Sequence, residues 1–312
     1  MITRQLLAAI LLGAALISAP AVTGAPALAM SKELESFIGA EPASFDSPEA
    51  AVAAFKNAMA KNDLAAVALL LGLDPVKVEK AENAAGNLAQ MRAAAAEGVA
   101  VEDGDGQRVL SLGRQLWPFP FPIVRGADGK WAFDTIAGLE EIVNRRIGEN
   151  ELHAIETMRL YVEAQKVYAG EDHDADGVME FAQKLVSGEG QTDGLYWPAT
   201  QGDGDSPAGA IDQAALGKAK AGDGYFGYKF RILKRQGSNV AGGKYDYVIN
   251  DNMIGGFALI AWPARYAETG VSTFMVNQAG IVYEKDFGVD TENIVSRIKT
   301  FNPGAAWQVV ED

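Results

Sequence analysis

The sequence predicts an α+β fold: N-terminal helices plus a small antiparallel sheet, then a long helix packed on a second antiparallel sheet. Three observations predict it. Helix-start signals crowd the region from Ser47 to Glu97. Gly138 to Ala169 keeps helical spacing, with Leu152, Ile155, Met158 or Arg159, Val162 and Gln165 or Lys166 on one face and Tyr161 and Tyr168 to one side. From Gly224 to Asp286, short aromatic and β-branched runs alternate with Gly and Asn, the pattern of antiparallel strands and their turns.

In chain order, Arg4, the apolar run Leu6 to Ile17 and the triplet Ala27-Leu28-Ala29 read as a signal peptide over residues 1–29, cut after Ala29. The run is short for a membrane span. Residues 30–46 form a loose polar lead-in. A first domain over 47–138 opens at Ser47-Pro48-Glu49, where an N-cap, a first-turn proline and an acid suit a helix N-terminus. Ala51, Val52, Phe55, Ala58 and Met59 make its apolar stripe. Asn62-Asp63 starts a second helix, and Asp74-Pro75 opens a third that runs to about Glu97. Asp103 to Gly106 is a turn and Val109 to Leu116 a strand. Pro118, Pro120 and Pro122 each lack a donor, so Trp117 to Pro122 is an extended edge or a polyproline II segment, not a central strand. Gly126 to Gly129 turns a hairpin between Ile123-Val124 and Trp131 to Phe133. The second domain, 139–312, opens on the long helix, in which Gly148 is a bend point. Phe181 to Val186 reads as a short helical turn and Asp212 to Lys220 as another helix. After the strands, Asp290 to Phe301 is helical with Thr291 as a cap, and Trp307 to Val310 is a last strand.

The chain has 27 basic and 41 acidic residues, and the predicted signal contains only one of them, Arg4, so its loss moves the net charge from -14 to -15. Such a surface argues against nucleic acid and anionic lipid as partners. No cysteine is present, which excludes thiol catalysis, cysteine-ligated metal sites, disulfides and a lipid-attachment cysteine.

One motif has ligand spacing. Asp172, Asp174 and Asp176 alternate and are followed by Gly177, as in the first half of an EF-hand calcium loop. Val178 would offer a backbone carbonyl, and Glu180 stands at position nine. Gln183 replaces the bidentate glutamate of position twelve, which predicts weak Ca2+ binding. Loop aspartates also suit a plain solvated turn. The two histidines, His153 and His173, have no companion that marks a catalytic or zinc site. Asp134-Thr135-Ile136 lacks the glycine of an aspartic protease. Glu140 and Glu141 suit a helix N-terminus. Arg145-Arg146 with Glu149 and Glu151 suits an ion-pair cluster. Trp117, Phe119, Trp131, Tyr196, Trp197 and Trp262 are candidates for a ligand groove, against the alternative that aromatics at strand spacing are core.

Trp117-Pro-Phe-Pro, Trp131-Ala-Phe-Asp, Arg145-Arg-Ile-Gly-Glu-Asn-Glu, Asp193-Gly-Leu-Tyr-Trp-Pro, Gly227-Tyr-Lys-Phe-Arg-Ile-Leu, Gly255-Gly-Phe-Ala-Leu-Ile-Ala-Trp-Pro and Val282-Tyr-Glu-Lys-Asp form a set. It resembles the secreted bacterial domain-of-unknown-function family 2950 across nearly the whole mature chain. That resemblance implies no established reaction. The C-terminal half is also similar to a soluble pilin or pseudopilin fold, through Gln165 and Tyr168, Gly227-Tyr228 with Phe230, and Phe257 to Pro263. The helix here is mid-chain and amphipathic, so the resemblance implies the sheet fold and not filament assembly.

The resulting expectation is an exported, non-enzymatic envelope protein that binds an envelope partner or small ligand, with no stable membrane insertion after signal cleavage. It would be periplasmic or secreted. The alternative is a carboxylate-dependent envelope hydrolase. The absent cysteine, the two isolated histidines and the lack of a nucleophile motif favour the first.

Overall fold

A computed structural model describes residues 32–81, 84–104, 106–202 and 204–311, so the predicted signal peptide lies outside the described residues. The chain forms two units, one ending at Arg146 and one beginning at Ile147. The boundary falls inside the long helix.

The first unit opens with α1 (Lys32–Glu35), α2 (Pro48–Lys61), α3 (Leu64–Leu70), α4 (Pro75–Glu79) and α5 (Ala84–Glu97). The cap residues act as their chemistry dictates. Ser47 Oγ accepts from Ala50 N–H, Asp63 Oδ1 from Ala66 N–H, and Asp74 Oδ1 from Val76 N–H. The single helix expected from Asp74 to Glu97 is two helices. Strands β1 (Val99–Gly104), β2 (Gln107–Leu112), β3 (Trp117–Pro118), β4 (Ile123–Arg125) and β5 (Trp131–Phe133) form one antiparallel sheet of order β1-β2-β4-β5, with β3 also paired to β2. The strand expected to reach Leu116 stops at Leu112, because Gly113 takes a φ of +72° and turns the chain.

Only Trp117–Pro118 of the expected extended edge is strand; the chain bends at Pro120 and Phe121, and Phe119 and Phe121 are both buried. Their rings stand 5.7 Å apart, and Phe119 packs 4.8 Å from Phe55, which is fully buried. Among the described residues of this core, an apolar void of about 30 Å³ lies between Val67, Leu71, Met91, Phe119, Phe121 and Ile142. That is room for about one water with no polar partner to hold it.

Helix α6 (Thr135–Tyr168) runs unbroken through Gly148, where a bend was expected. In the second unit it is followed by α7 (Gln213–Lys220) and then β6 (Tyr228–Leu233), the paired segments β7 (Arg235–Gln236) and β8 (Tyr245–Asp246), and the paired segments β9 (Val248–Ile249) and β10 (Asn252–Met253). After these come β11 (Ala258–Pro263), β12 (Ser272–Asn277), β13 (Tyr283–Asp286), α8 (Thr291–Arg297) and β14 (Gln308–Val309). The main sheet is an antiparallel meander, β14-β13-β12-β11-β6. Strand alternation assigns its faces. Tyr228 reaches Glu151 on α6, whereas Lys229, Arg231 and Trp262 reach α8: Lys229 and Trp262 bind Glu292, and Arg231 donates to the carbonyls of Val295 and Ile298. The sheet is thus a middle layer, which explains why every residue of β11 is buried.

The buried residues of α6 in this unit are Ile147, Ala154, Met158, Tyr161, Val162, Ala164, Gln165 and Tyr168, so Met158, Val162 and Gln165 of the expected face are buried while Leu152 is half exposed. The polar-tipped residues win because the sheet and a following loop offer partners. Tyr161 Oη donates to the Ala258 carbonyl (3.3 Å), and the Gln165 amide pairs in both directions with the Ala182 backbone (2.8 Å each). Phe181 to Val186 is not helical. Its donors and acceptors go elsewhere: Phe181 N–H to Met253, Ala182 to Gln165, and the Lys184 and Leu185 carbonyls to Leu195 and Tyr196.

Two glycines of α6 make opposite predictions. A Cβ on Gly138 would stand 2.0 Å from the Phe121 ring, whereas one on Gly148 meets nothing within 4 Å. Gly138→Ala should lower unfolding stability by about 1–3 kcal/mol, and Gly148→Ala should raise it by up to about 1 kcal/mol. Urea unfolding of both variants checks this. A destabilised Gly148→Ala protein would mean that the helix needs its glycine there.

Candidate functional site

The site is built where α6 ends. Asp172, Asp174 and Asp176 are exposed, and each offers a carboxylate oxygen within 4.8 Å of the others. The backbone curls around them. Asp172 accepts from Ala175 N–H (2.8 Å) and Gly177 N–H (2.9 Å), and Asp176 accepts from Val178 N–H (2.8 Å). Ala175 and Gly177 take φ values of +63° and +85°, the latter supplied by the glycine that the motif places there. The Gly177 N–H, with those of Ala175 and Asp174, holds the Asp172 carboxyl below its ordinary range.

The second half of the motif does different work. Glu180 Oε2 accepts from Met253 N–H (2.7 Å). Gln183 Nε2 donates to the Asp251 carbonyl (2.6 Å), and its oxygen accepts from Lys234 Nζ (2.7 Å). Asn252 Nδ2 donates to Asp176 Oδ2 (2.7 Å). Glu180 and Gln183 therefore join the loop to the β9–β10 hairpin, and the oxygens left for a cation belong to the three aspartates. Val178 lies between the two groups with its N–H committed to Asp176.

Beneath the loop the packing is aromatic. The His173 ring stacks on Tyr168 at 3.9 Å and meets the edge of Trp197 at 5.9 Å, and its Nε2 lies 3.1 Å from the Tyr168 carbonyl. Burial, then the nearby carboxylates of Glu180, Asp193 and Asp174, push the Tyr168 phenol up to about 12.

Of the aromatic groove candidates in the first unit, Trp117 and Phe119 stand 6.4 Å apart. Phe119, Trp197 and Trp262 are 2%, 7% and 8% exposed, which removes them from any ligand surface. Trp197 Nε1 donates to the Gly204 carbonyl, and Trp262 Nε1 to Glu292 with Arg231 across its ring. Trp117 and Trp131 are half buried under Arg145 and Arg108 respectively. Tyr196 Oη accepts from Gln213 Nε2. Arg145 pairs with Glu141 (2.8 Å), not with Glu149, and Glu151 turns to the sheet. His153 stacks on Phe226 at 4.3 Å.

Sequence reasoning missed a second polar group. Glu151 Oε1 accepts from the backbone N–H of Val271 (2.8 Å) and Ser272 (2.9 Å), with Tyr228 Oη at 3.3 Å.

A family model described as "Protein of unknown function (DUF2950)" matches residues 42–310. No curated protein and no solved structure matches the chain.

If Glu180 is a hairpin partner, Glu180→Ala should expose the Met253 amide to faster hydrogen exchange and lower stability by about 1–3 kcal/mol. Asn252→Ala, which loses an exposed contact, should cost at most about 1 kcal/mol. Unchanged exchange at Met253 would free Glu180 to serve as a ligand.

Proposed function

The chain belongs to that family, whose description assigns no reaction, and we propose that it is an exported, non-enzymatic envelope protein that binds a partner or ligand and carries a calcium-stabilised loop. The observation that supports this best is the triplet Asp172, Asp174 and Asp176, whose oxygens converge on a tethered loop. Clustered hard oxygens select hard divalent cations. Three carboxylates with the remaining positions left to water give a weak site, in the range of about 10⁻⁴–10⁻³ M typical of extracellular calcium modules. Export is supported by the leader pattern of residues 1–29. Among the described residues no helix is long and apolar enough to cross a membrane. A helix laid on one face of an antiparallel sheet supports the pilin-like reading of the C-terminal unit.

Thermal unfolding with EDTA and with calcium tests the loop. A few millimolar calcium should stabilise the protein by about 1–2 kcal/mol through linkage, and the double variant Asp174→Ala, Asp176→Ala should lose that gain. Equal midpoints in EDTA and calcium would remove the metal from this reading and leave the loop as a solvated turn.

A further inference from the structure

We propose that the β9–β10 hairpin and the segment beside it form a docking surface for a basic amphipathic peptide segment, one that carries Lys or Arg beside apolar side chains. Docking of this kind rests on the reading that the protein binds a partner, and it adds what that partner is made of. The surface starts from the hairpin turn, where Asn250 and Asp251 take φ values of +50° and +69°, as a tight two-residue turn requires. Val248 pairs with Met253, and Ile249 with Asn252. Opposed residues share a face, and successive residues alternate between faces. Met253 is fully buried in the core, and Val248 packs against that core beside it. Ile249 and Asn252 therefore turn outward, and the Asn252 amide reaches Asp176 (2.7 Å). Met179 to Phe181 runs beside the hairpin: Glu180 takes the Met253 N–H (2.7 Å), and the Phe181 N–H donates to the Met253 carbonyl (2.9 Å).

Three large apolar side chains stay in water around this junction. Met179 is 63% exposed, Ile249 48% and Ile254 44%. Met179 adjoins Glu180, Ile254 adjoins Met253, and Ile249 stands opposite Asn252, so each sits at a hydrogen bond that ties loop to hairpin. Exposed apolar side chains with a polar rim mark interaction sites. The rim decides the occupant. Glu171, Asp251 and the three loop aspartates are exposed, and the cation bound into the junction is Lys234, through Gln183. A second copy of the chain would set these acids against themselves, and a nucleic acid or an anionic lipid would be repelled as well. A cationic segment is attracted by the rim while its apolar side chains cover Met179, Ile249 and Ile254. Three side chains fall well short of the roughly 800 Å² per partner of a standard protein–protein interface, which suits a peptide segment rather than a globular face.

The experiment titrates the ¹⁵N-labelled protein with a synthetic amphipathic peptide of leucine and lysine, beside matched leucine–glutamate and serine–lysine peptides. It runs in EDTA, so its outcome is separate from the calcium stabilisation of the loop, and either can fail without the other. The leucine–lysine peptide should shift the amides of Met179, Ile249 and Ile254. The double variant Ile249→Ser, Ile254→Ser, which changes only exposed side chains, should bind it about tenfold more weakly or worse. No shift at these amides in the wild type would overturn the proposal, a readout that needs no variant to fold. Equal binding of the serine–lysine peptide would also overturn it, because charge alone would then account for the effect. So would tighter binding of the leucine–glutamate peptide. Shifts at the same amides on raising the protein concentration without peptide would assign the surface to a second copy instead.

Discussion

The second unit depends on a buried amide. Gln165 is fully buried on α6, and its carboxamide satisfies both the N–H and the carbonyl of Ala182 while donating to the Tyr161 hydroxyl. Tyr161 in turn donates to Ala258 on the central strand. Helix, loop and sheet are thereby joined through one chain of hydrogen bonds. A buried amide left without partners would be costly, so this chain fixes where the loop after α6 must run. The long irregular stretch from Tyr168 to Asp212 keeps its course because such side chains replace a regular ladder. Asp193 adds another tie. Burial pulls its carboxyl up, but Lys184 and the Gly188 N–H outweigh that and hold it below the ordinary range.

The acidic loop inherits its position from this arrangement. Its first half makes a compact turn around Asp172, leaving carboxylates outward, and its second half is used for attachment. The same short segment therefore separates into an exposed acidic part, tied to the hairpin at Asp176 by Asn252, and a part used for attachment. That division explains how the chain tolerates glutamine at position 183: the amide both donates to Asp251 and accepts from Lys234, which a carboxylate could not do.

Much of the fold was legible because it rests on local chemistry. The caps at Ser47, Asp63 and Asp74, the hairpin around Gly126 to Gly129, and the strands of the main sheet follow from residue type and spacing. What stayed illegible depends on distant partners. Leu152 looked like core and Tyr161 did not, because apolar periodicity takes no account of a carbonyl 97 residues away that accepts from a tyrosine. Val99 to Gly104 forms a strand although nearly all of it is exposed, so no alternation marked it. Trp197 and Trp262 resembled a binding surface but are spent on Gly204 and Glu292. Glu151 lies 121 residues before Ser272, and only the docking of α6 on the sheet brings it to that backbone N–H. The clustering of the three aspartates was legible because their alternate spacing before Gly177 is local.

The most direct measurement is a calcium titration of the ¹⁵N-labelled protein, followed amide by amide. The account predicts shifts at Ala175, Gly177 and Val178, whose N–H groups bond to Asp172 and Asp176, and little change at Ala182 and Met253, which Gln165 and Glu180 hold. Shifts centred on Met253, or none at any of these amides, would contradict the division of the loop into a cation-facing half and a structural half.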